Sequence, residues 1–327
     1  MQLRYPDYSE LLNGNITVPL GESLVLHDHL GGFDSTLKNS LLDLLVKKQF
    51  TNTVYLQYCV DSSLKNQYKT LDLSLSITLQ NSINFSHHRT YKIHPDINYK
   101  NFVCSFNGSP HIGRKLLASI LQRFNWFDTA YSSKNFSYST DIIDGHISDL
   151  VSDKEIFYRK FFIADNSESF FQKKYSFGPY ASDPTGHRHT HGNNIYTLEN
   201  KLTQSFLHIV SETMATSYYP FVTEKFLHSI VTRGLFLAYA QPGWHIHLEK
   251  FYGFKRYTKL FDYQFDAIQN PIERLLELMS MISKFSILSI HDWHDLYLLE
   301  QDTIEYNYDH YFSDKYLKHL SNHFVIY

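Results

Sequence analysis

The pattern of hydrophobic and polar residues predicts a strand, a helix and a second strand in the second half of the chain. Residues 206–210 are apolar and lead into the polar 211–213, as expected where a buried strand reaches the carboxyl edge of a sheet. A helix is predicted to open at 222–225 and to end at Gly234, and residues 235–240 form the next buried strand. Acidic and basic side chains therefore meet at one sheet edge, beside a helix N-terminus.

Charged residues at this edge predict an anionic ligand. Open α/β sheets bind phosphorylated ligands where strands end, because free backbone N–H groups and the helix dipole attract anions there. A carboxylate can accept both hydroxyls of a ribose, while an ammonium group and free N–H groups hold a diphosphate. Glu224 and Lys225 have this chemistry and favour a sugar nucleotide. The alternative is that these two residues only begin a solvated helix.

The N-terminal part is predicted to contain a βαβ unit. Residues 22–30 hold the first strand, two glycines precede a helix that Asp34 can cap, and residues 53–60 hold the second strand. This order implies a parallel sheet with a right-handed crossover. Asp28 then follows the first strand, where a general base could face a second domain, and Asp61 and Asp34 are the alternatives.

Another strand, turn and helix lie before the segment described first. Residues 102–106 form a predicted strand, 107–110 the turn, and 111–124 an amphipathic helix. Arg114 lies near the start of this helix, against the preference of the helix dipole, which indicates an anion bound there. A solvent-facing arginine is the alternative.

The C-terminal part is predicted to be largely helical. Residues 254–268 suggest a loop with a short strand, and a helix then runs from Pro271 to about Phe285. A second helix follows Ile290.

Composition is that of a folded chain of two ordinary domains, with 327 residues of which 43% are hydrophobic. A net charge of −3 argues against a protein that wraps nucleic acid by charge alone, although a local basic groove remains compatible with it. Cys59 and Cys104 lie in apolar, strand-like runs, which favours buried reduced thiols over a disulfide framework. The polar start and the lack of a long apolar run predict a soluble, cytoplasmic protein without a membrane span.

Three alternating histidines, His187, His189 and His191, could share one face of an extended segment and bind a metal. Because no acidic or cysteine partner lies in firm register with them, a polar surface loop is the favoured interpretation. No metal site is predicted.

The ordered motifs of the second half resemble the donor-binding half of a glycosyltransferase group common in phages. Ile-Val-Ser-Glu-Thr at 209–213 is followed by Phe-Val-Thr-Glu-Lys at 221–225, Gln-Pro-Gly at 241–243 and Tyr-Gly-Phe at 252–254. The set is also similar to the fucosyltransferases, whose donor motif likewise ends in Thr-Glu-Lys. In the resembling group a strand, a short polar turn and a helix that carries an arginine precede the donor motif, as they do at 102–124 here.

This resemblance implies the GT-B architecture, in which two Rossmann-like α/β domains face each other across a cleft. The domain boundary is placed at residues 87–101, which have the polarity of a connection. The predicted division is an acceptor-side domain at 1–98, a nucleotide-sugar-binding domain at 99–300, and a terminal segment at 301–327 that packs back on the first domain. One departure from the group lies at 262–266, where a more acidic run is expected, and the roles of Asp262 and Asp266 are left open.

The resemblance also implies an activity, the transfer of a sugar from a nucleoside-diphosphate sugar to an acceptor hydroxyl without a catalytic metal or another cofactor. Asp28 is the expected base, and the expected donor-binding residues are Arg114, Glu212, Thr223, Glu224, Lys225 and Gly243. The acceptor is either a glycan, such as a bacterial surface polysaccharide, or hydroxymethylated pyrimidine in phage-type DNA, in a bacterial or phage-infected cell. A catalytically silent sugar-binding or interaction protein on the same scaffold is the alternative.

Overall fold

The described residues form two four-stranded β-sheets, as seen in a computed structural model of the chain. Every pairing in both sheets is parallel. The α/β class predicted from the sequence is therefore confirmed. The structure describes residues 3–4, 23–27, 54–57, 69–71, 98–108, 111–128, 131–134, 137, 170, 173–174, 200–213, 215, 220, 222–223 and 225–324.

The N-terminal sheet has the strand order β1-β2-β3-β4. Its strands are β1 (Leu3–Arg4), β2 (Ser23–His27), β3 (Val54–Gln57) and β4 (Lys69–Leu71). β2 pairs with β3 in parallel, which is the pairing that the predicted βαβ unit requires. The helix predicted between these strands lies outside the described residues, as do Asp28, Asp34 and Asp61.

The C-terminal sheet has the strand order β6-β5-β7-β8. Its strands are β5 (Asn101–Asn107), β6 (Ser132–Lys134), β7 (Ser205–Ser211) and β8 (Leu235–Tyr239). Three of these strands are predicted by their apolar runs and are confirmed. β6 is the exception, because a buried Ser-Ser-Lys segment has no hydrophobic pattern to reveal it.

Cys104 in β5 is a buried free thiol, and burial raises its pKa to about 12.

Helices follow β5 and the later strands among the described residues. They are α1 (Ile112–Arg123), α2 (Lys225–Val231), α3 (Trp244–Lys250), α4 (Pro271–Ser286), α5 (Ile290–Leu299), α6 (Gln301–Tyr311) and α7 (Asp314–Phe324). The predicted helices at 111–124, after 222–225, at Pro271 and after Ile290 are confirmed. The short strand predicted within 254–268 is wrong, because this segment is a loop with a 3₁₀ helix at Gln264–Ala267.

Helix α2 is predicted to end at Gly234, but the residue with the left-handed conformation at its end is Arg233. Arg233 has the left-handed conformation, with φ 52°, and its N–H donates to the carbonyl of Ile230 at 3.0 Å. The N–H of Gly234 donates to the carbonyl of Ser229 at 2.8 Å, so the two bonds close the helix end together. Contacts with α6 hold the Arg233 side chain, which donates to Glu305 at 2.9 Å. The terminal segment thus packs against α2.

Helices cover both faces of the C-terminal sheet, since successive strand residues point to opposite faces. His208 of β7 contacts Ser229 of α2, and Phe206, two residues earlier, stacks on Trp293 of α5 with ring centroids 5.8 Å apart. Tyr239 of β8 pairs with Ser211, which is three residues after His208, so Tyr239 points to the other face of the sheet. On that face its ring lies close to Gly113 in the first turn of α1. Helices α1 and α2 therefore lie on opposite faces. No helix of the described residues is long and apolar enough to cross a membrane.

Candidate functional site

A fully buried carboxylate, Glu212, joins the end of β7 to the start of α2. Its Oε1 accepts from the backbone N–H of Thr223 at 3.0 Å. Its Oε2 accepts from the hydroxyl of Thr223 at 2.6 Å and from the N–H of Thr213 at 3.2 Å. Both oxygens are therefore occupied by protein donors. Glu212 fixes the positions of two threonines that are ten residues apart in sequence.

Lys225 brings a positive charge to the same point. Its Nζ donates to Oγ1 of Thr223 at 2.7 Å and to Oγ1 of Thr213 at 3.1 Å. It lies 3.7 Å from Oε2 of Glu212, and its side chain is 20% exposed. The ammonium group is thus held in place at the end of a side chain that is still partly exposed.

Arg114 reaches the same hydroxyl from the opposite face of the sheet. It extends from the first turn of α1 and is 4% exposed, and its Nη2 donates to Oγ1 of Thr213 at 3.3 Å. The two cations that the sequence predicts separately therefore converge on one atom. We call Arg114, Thr213 and Lys225 the cation cluster.

His111 lies close to the charges of the cation cluster. His111, which precedes α1, has its pKa lowered to about 4 by burial and then by the charges of Arg114, Lys225 and Lys115. A histidine with this pKa is neutral near pH 7. Arg114, Lys225 and Lys115 therefore bring positive charge close to His111, and an anion is favoured beside them.

Two residues that the sequence analysis does not single out set the shape of this edge. A Cβ added to Gly113 would lie 2.8 Å from Cβ of Ala215, so α1 approaches the loop after β7 too closely for any side chain. Arg274 of α4 is buried and donates to the carbonyls of Ala240 at 2.8 Å and Ala215 at 2.5 Å. The glycine and the arginine together fix the loop that carries Thr213.

Gly243 and Asp266 serve the start of α3. Gly243 has φ 74° and its N–H donates to the carbonyl of Asp266 at 2.6 Å. The Asp266 carboxylate accepts from the N–H of His245 and, at 2.7 Å, from its Nδ1. Burial alone would raise the pKa of Asp266, but the contacts with His245 outweigh it and lower the pKa. The Asp266 carboxylate therefore caps the start of α3. The exposed Asp262 has only a local role, because its Oδ1 accepts from the N–H of Gln264 at 3.0 Å.

The remaining predicted site residues stay predictions. Glu224 and Asp28 lie outside the described residues, as do His187, His189 and His191. A donor contact of Gly243 is not tested by its backbone bonds. Within the described part of the chain, no group of three or more His, Cys, Asp or Glu residues could hold a metal ion.

The cation cluster lies at a switch point of the sheet. β5 and β7 are neighbours, and the helices that follow them, α1 and α2, lie on opposite faces. Adjacent parallel strands whose crossovers diverge leave a crevice at their carboxyl ends, and ligands of open α/β sheets bind there. Arg114 comes from one of these helices and Lys225 from the other, so the crevice is lined by cations from both sides.

Comparison with known proteins identifies no relative. No protein-family profile, no curated protein and no solved structure matches this chain. The geometry of the described residues therefore carries the inference of function.

Proposed function

We propose that the protein is a glycosyltransferase whose cation cluster binds the diphosphate of a nucleoside-diphosphate sugar. The observation that carries this proposal is the convergence of Arg114 and Lys225 on the Thr213 hydroxyl at the switch point. A guanidinium and an ammonium group a few ångströms apart match the adjacent charges of a diphosphate. The parallel α/β sheet and the order of the motifs agree with the donor domain of a GT-B enzyme, with residues 1–98 as the acceptor-side domain.

The cation cluster suits the leaving group of such a reaction. The oxygen of the acceptor attacks the anomeric carbon of the sugar, and the bond from that carbon to the diphosphate oxygen breaks. The diphosphate leaves with the bonding electrons, and a general base takes the acceptor proton. Positive charges that are already in place stabilise the charge that develops on the diphosphate. Asp28 is the proposed base, because it follows β2 directly.

The two acidic residues of the motif have different proposed roles. Both oxygens of Glu212 are occupied by Thr213 and Thr223, so we assign it to positioning. Glu224, one residue before α2, is then the proposed acceptor for the ribose hydroxyls. The sugar acceptor is a glycan or a hydroxymethylated pyrimidine of DNA, whose base would have to leave the stack to reach the site.

A panel of sugar nucleotides with both acceptor classes tests the proposal. Wild-type protein is expected to release nucleoside diphosphate and to add the mass of one sugar to one class of acceptor. Lys225→Ala should weaken binding of nucleoside diphosphate by about 10- to 100-fold, since a charge-assisted contact is lost. Exposed Lys250 gives the matched control, and Lys250→Ala should behave as wild type.

The outcomes separate the functional classes. Nucleotide binding without release in any combination would favour the silent sugar-binding protein. Failure to bind any nucleoside diphosphate would refute the proposal. With turnover established, Asp28→Asn should lower its rate by roughly 10²- to 10⁴-fold with little change in nucleotide affinity. If Asp61→Asn loses turnover and Asp28→Asn keeps it, the base belongs to β3 instead of β2.

A further inference from the structure

The hydroxyl of Thr213 is surrounded by groups that can only donate hydrogen bonds. Its Oγ1 accepts from Nζ of Lys225 at 3.1 Å and from Nη2 of Arg114 at 3.3 Å. A hydroxyl has two acceptor positions and one proton, and neither an ammonium nor a guanidinium group can accept that proton. Both acceptor positions are therefore used, and the proton must point to a third group.

The described residues supply no acceptor for this proton. Thr213 is only 9% exposed, so bulk water does not surround the hydroxyl. A buried hydroxyl normally has a partner for its proton, because leaving the group unpaired is unfavourable. The hydroxyl thus has the property expected of a ligand-binding donor, namely a fixed orientation and an unused proton.

Thr223 provides an internal comparison. Its hydroxyl also accepts from Lys225, at 2.7 Å, but its proton goes to Oε2 of Glu212 at 2.6 Å. The hydroxyl of Thr223 therefore needs no ligand. Two threonines that contact the same ammonium group differ in one respect, which is the destination of the proton.

The site also offers no acceptor to a ligand within the part that the structure describes. Glu212 is fully buried and both of its oxygens already accept from Thr213 and Thr223. Arg114 and Lys225 only donate. A ligand oxygen that carried a proton would find no acceptor for it among these described residues, whereas an unprotonated oxyanion could accept from the Thr213 hydroxyl.

We propose that the Thr213 hydroxyl donates a hydrogen bond to an unprotonated phosphate oxygen of the ligand. The cation cluster thereby selects oxyanions that carry no proton at this position. The identification of that oxygen with a nucleoside diphosphate rests on the proposed function. The unused proton of the Thr213 hydroxyl does not depend on the proposed function. It predicts that inorganic pyrophosphate and sulfate also bind.

Two substitutions at Thr213 test the inference by isothermal titration calorimetry with pyrophosphate, sulfate, UDP and GDP. Thr213→Val keeps the shape and removes the proton, so the affinity for pyrophosphate should fall by about 10- to 100-fold. Thr213→Ser keeps the hydroxyl and should remain within about threefold of wild type. Thr258→Val replaces an exposed threonine and should leave the affinity unchanged.

A structure of the wild-type protein with pyrophosphate separates donation to the ligand from mere positioning of the cations. Oγ1 of Thr213 should lie about 2.5–3.0 Å from a phosphate oxygen, as in O–H···O⁻ hydrogen bonds. A separation beyond about 3.5 Å would overturn the inference.

The remaining outcomes are equally decisive. Wild-type affinity in Thr213→Val, or an equal loss in Thr213→Val and Thr213→Ser, would overturn the inference and leave the proposed function standing if UDP or GDP still binds. Pyrophosphate binding that depends on the hydroxyl, together with no binding of any nucleoside diphosphate, would support the inference and refute the proposed function. A wild-type protein that binds neither pyrophosphate nor sulfate overturns the inference.

Discussion

Replacing Glu212 by glutamine tests whether the buried carboxylate holds the site together. Glutamine has the same shape, but it removes the negative charge and turns one oxygen into an NH₂ group. If NH₂ replaces Oε1 it meets the N–H of Thr223, and if it replaces Oε2 it meets the N–H of Thr213. A donor faces a donor in either orientation. One backbone N–H therefore loses its acceptor in a buried place.

The expected loss follows from these contacts. A hydrogen bond to a charged group contributes about 1.5–3 kcal/mol, and an unsatisfied buried N–H costs about 1–3 kcal/mol. The two effects overlap, and water can partly replace the carboxylate at Lys225, whose side chain is 20% exposed. We expect the free energy of unfolding to fall by about 2–4 kcal/mol. Urea denaturation followed by tryptophan fluorescence measures this free energy, since Trp126, Trp244 and Trp293 all lie after β5, in the part of the chain that holds the C-terminal sheet.

A matched substitution controls for the loss of a carboxylate elsewhere. Glu305 pairs with Arg233 at 2.9 Å, but its side chain is 43% exposed, so Glu305→Gln should cost less than about 1 kcal/mol. Equal losses in the two variants would refute the positioning role of Glu212. In a second measurement, Glu212→Gln should change the affinities for pyrophosphate and nucleoside diphosphate by the same factor. A loss confined to the nucleoside diphosphate would instead show that Glu212 contacts the ribose.

Three further predictions concern the same sheet. Arg114→Lys keeps the charge but loses the planar fork, so the affinity for pyrophosphate, measured by calorimetry, should fall by about tenfold. Gly113→Ala places a Cβ 2.8 Å from that of Ala215 and should lower the free energy of unfolding in urea by about 1–3 kcal/mol. Burial and then the neighbouring His228 lower the pKa of His208 to about 3, against about 6.5 in the unfolded chain. Between these pH values only the unfolded chain binds the proton, so the urea midpoint should fall as the pH is lowered from about 7 to about 5.

Each of these predictions has an outcome that contradicts it. Unchanged pyrophosphate affinity in Arg114→Lys would show that the fork is not used. Gly108 has open space where a Cβ would be added, so Gly108→Ala should be near wild type, and an equal loss in both glycine variants would remove the steric explanation. If the midpoint of a His208→Asn variant falls as steeply with pH as that of wild type, another group causes the pH dependence.

The sequence predicts the elements of the C-terminal sheet wherever a long apolar pattern is present. β5, β7 and β8 are apolar runs, and α1 and α4 keep a helical spacing, so local pattern and tertiary burial agree. β6 escapes prediction, because Ser132, Ser133 and Lys134 are buried only through the strand and segments that pack on them. Burial of a polar segment is a property of its neighbours, and no local pattern contains it.

The site likewise contains some residues that a local sequence pattern predicts and others that only the fold reveals. Arg114 is predicted because its place at a helix start conflicts with the dipole, and the structure supplies the local reason in its contact with Thr213. Gly113 and Arg274 are not predicted, because each acts on Ala215, which lies far away in sequence. The positioning role of Glu212 is also hidden, since it depends on which donors the fold brings to its oxygens.

The buried carboxylate explains how two cations can share one hydroxyl before a ligand arrives. Nζ of Lys225 and Nη2 of Arg114 bond the same oxygen and thus lie within about 6 Å of each other, a repulsion of about 3 kcal/mol at an effective dielectric constant near 20. The attraction of Lys225 to Oε2 of Glu212 at 3.7 Å is about 4 kcal/mol on the same scale, which offsets that repulsion. Folding therefore fixes the cations in advance, and an entering anion does not have to bring them together. Because the carboxylate is buried behind the threonines, it can offset the repulsion without presenting an oxygen to the ligand.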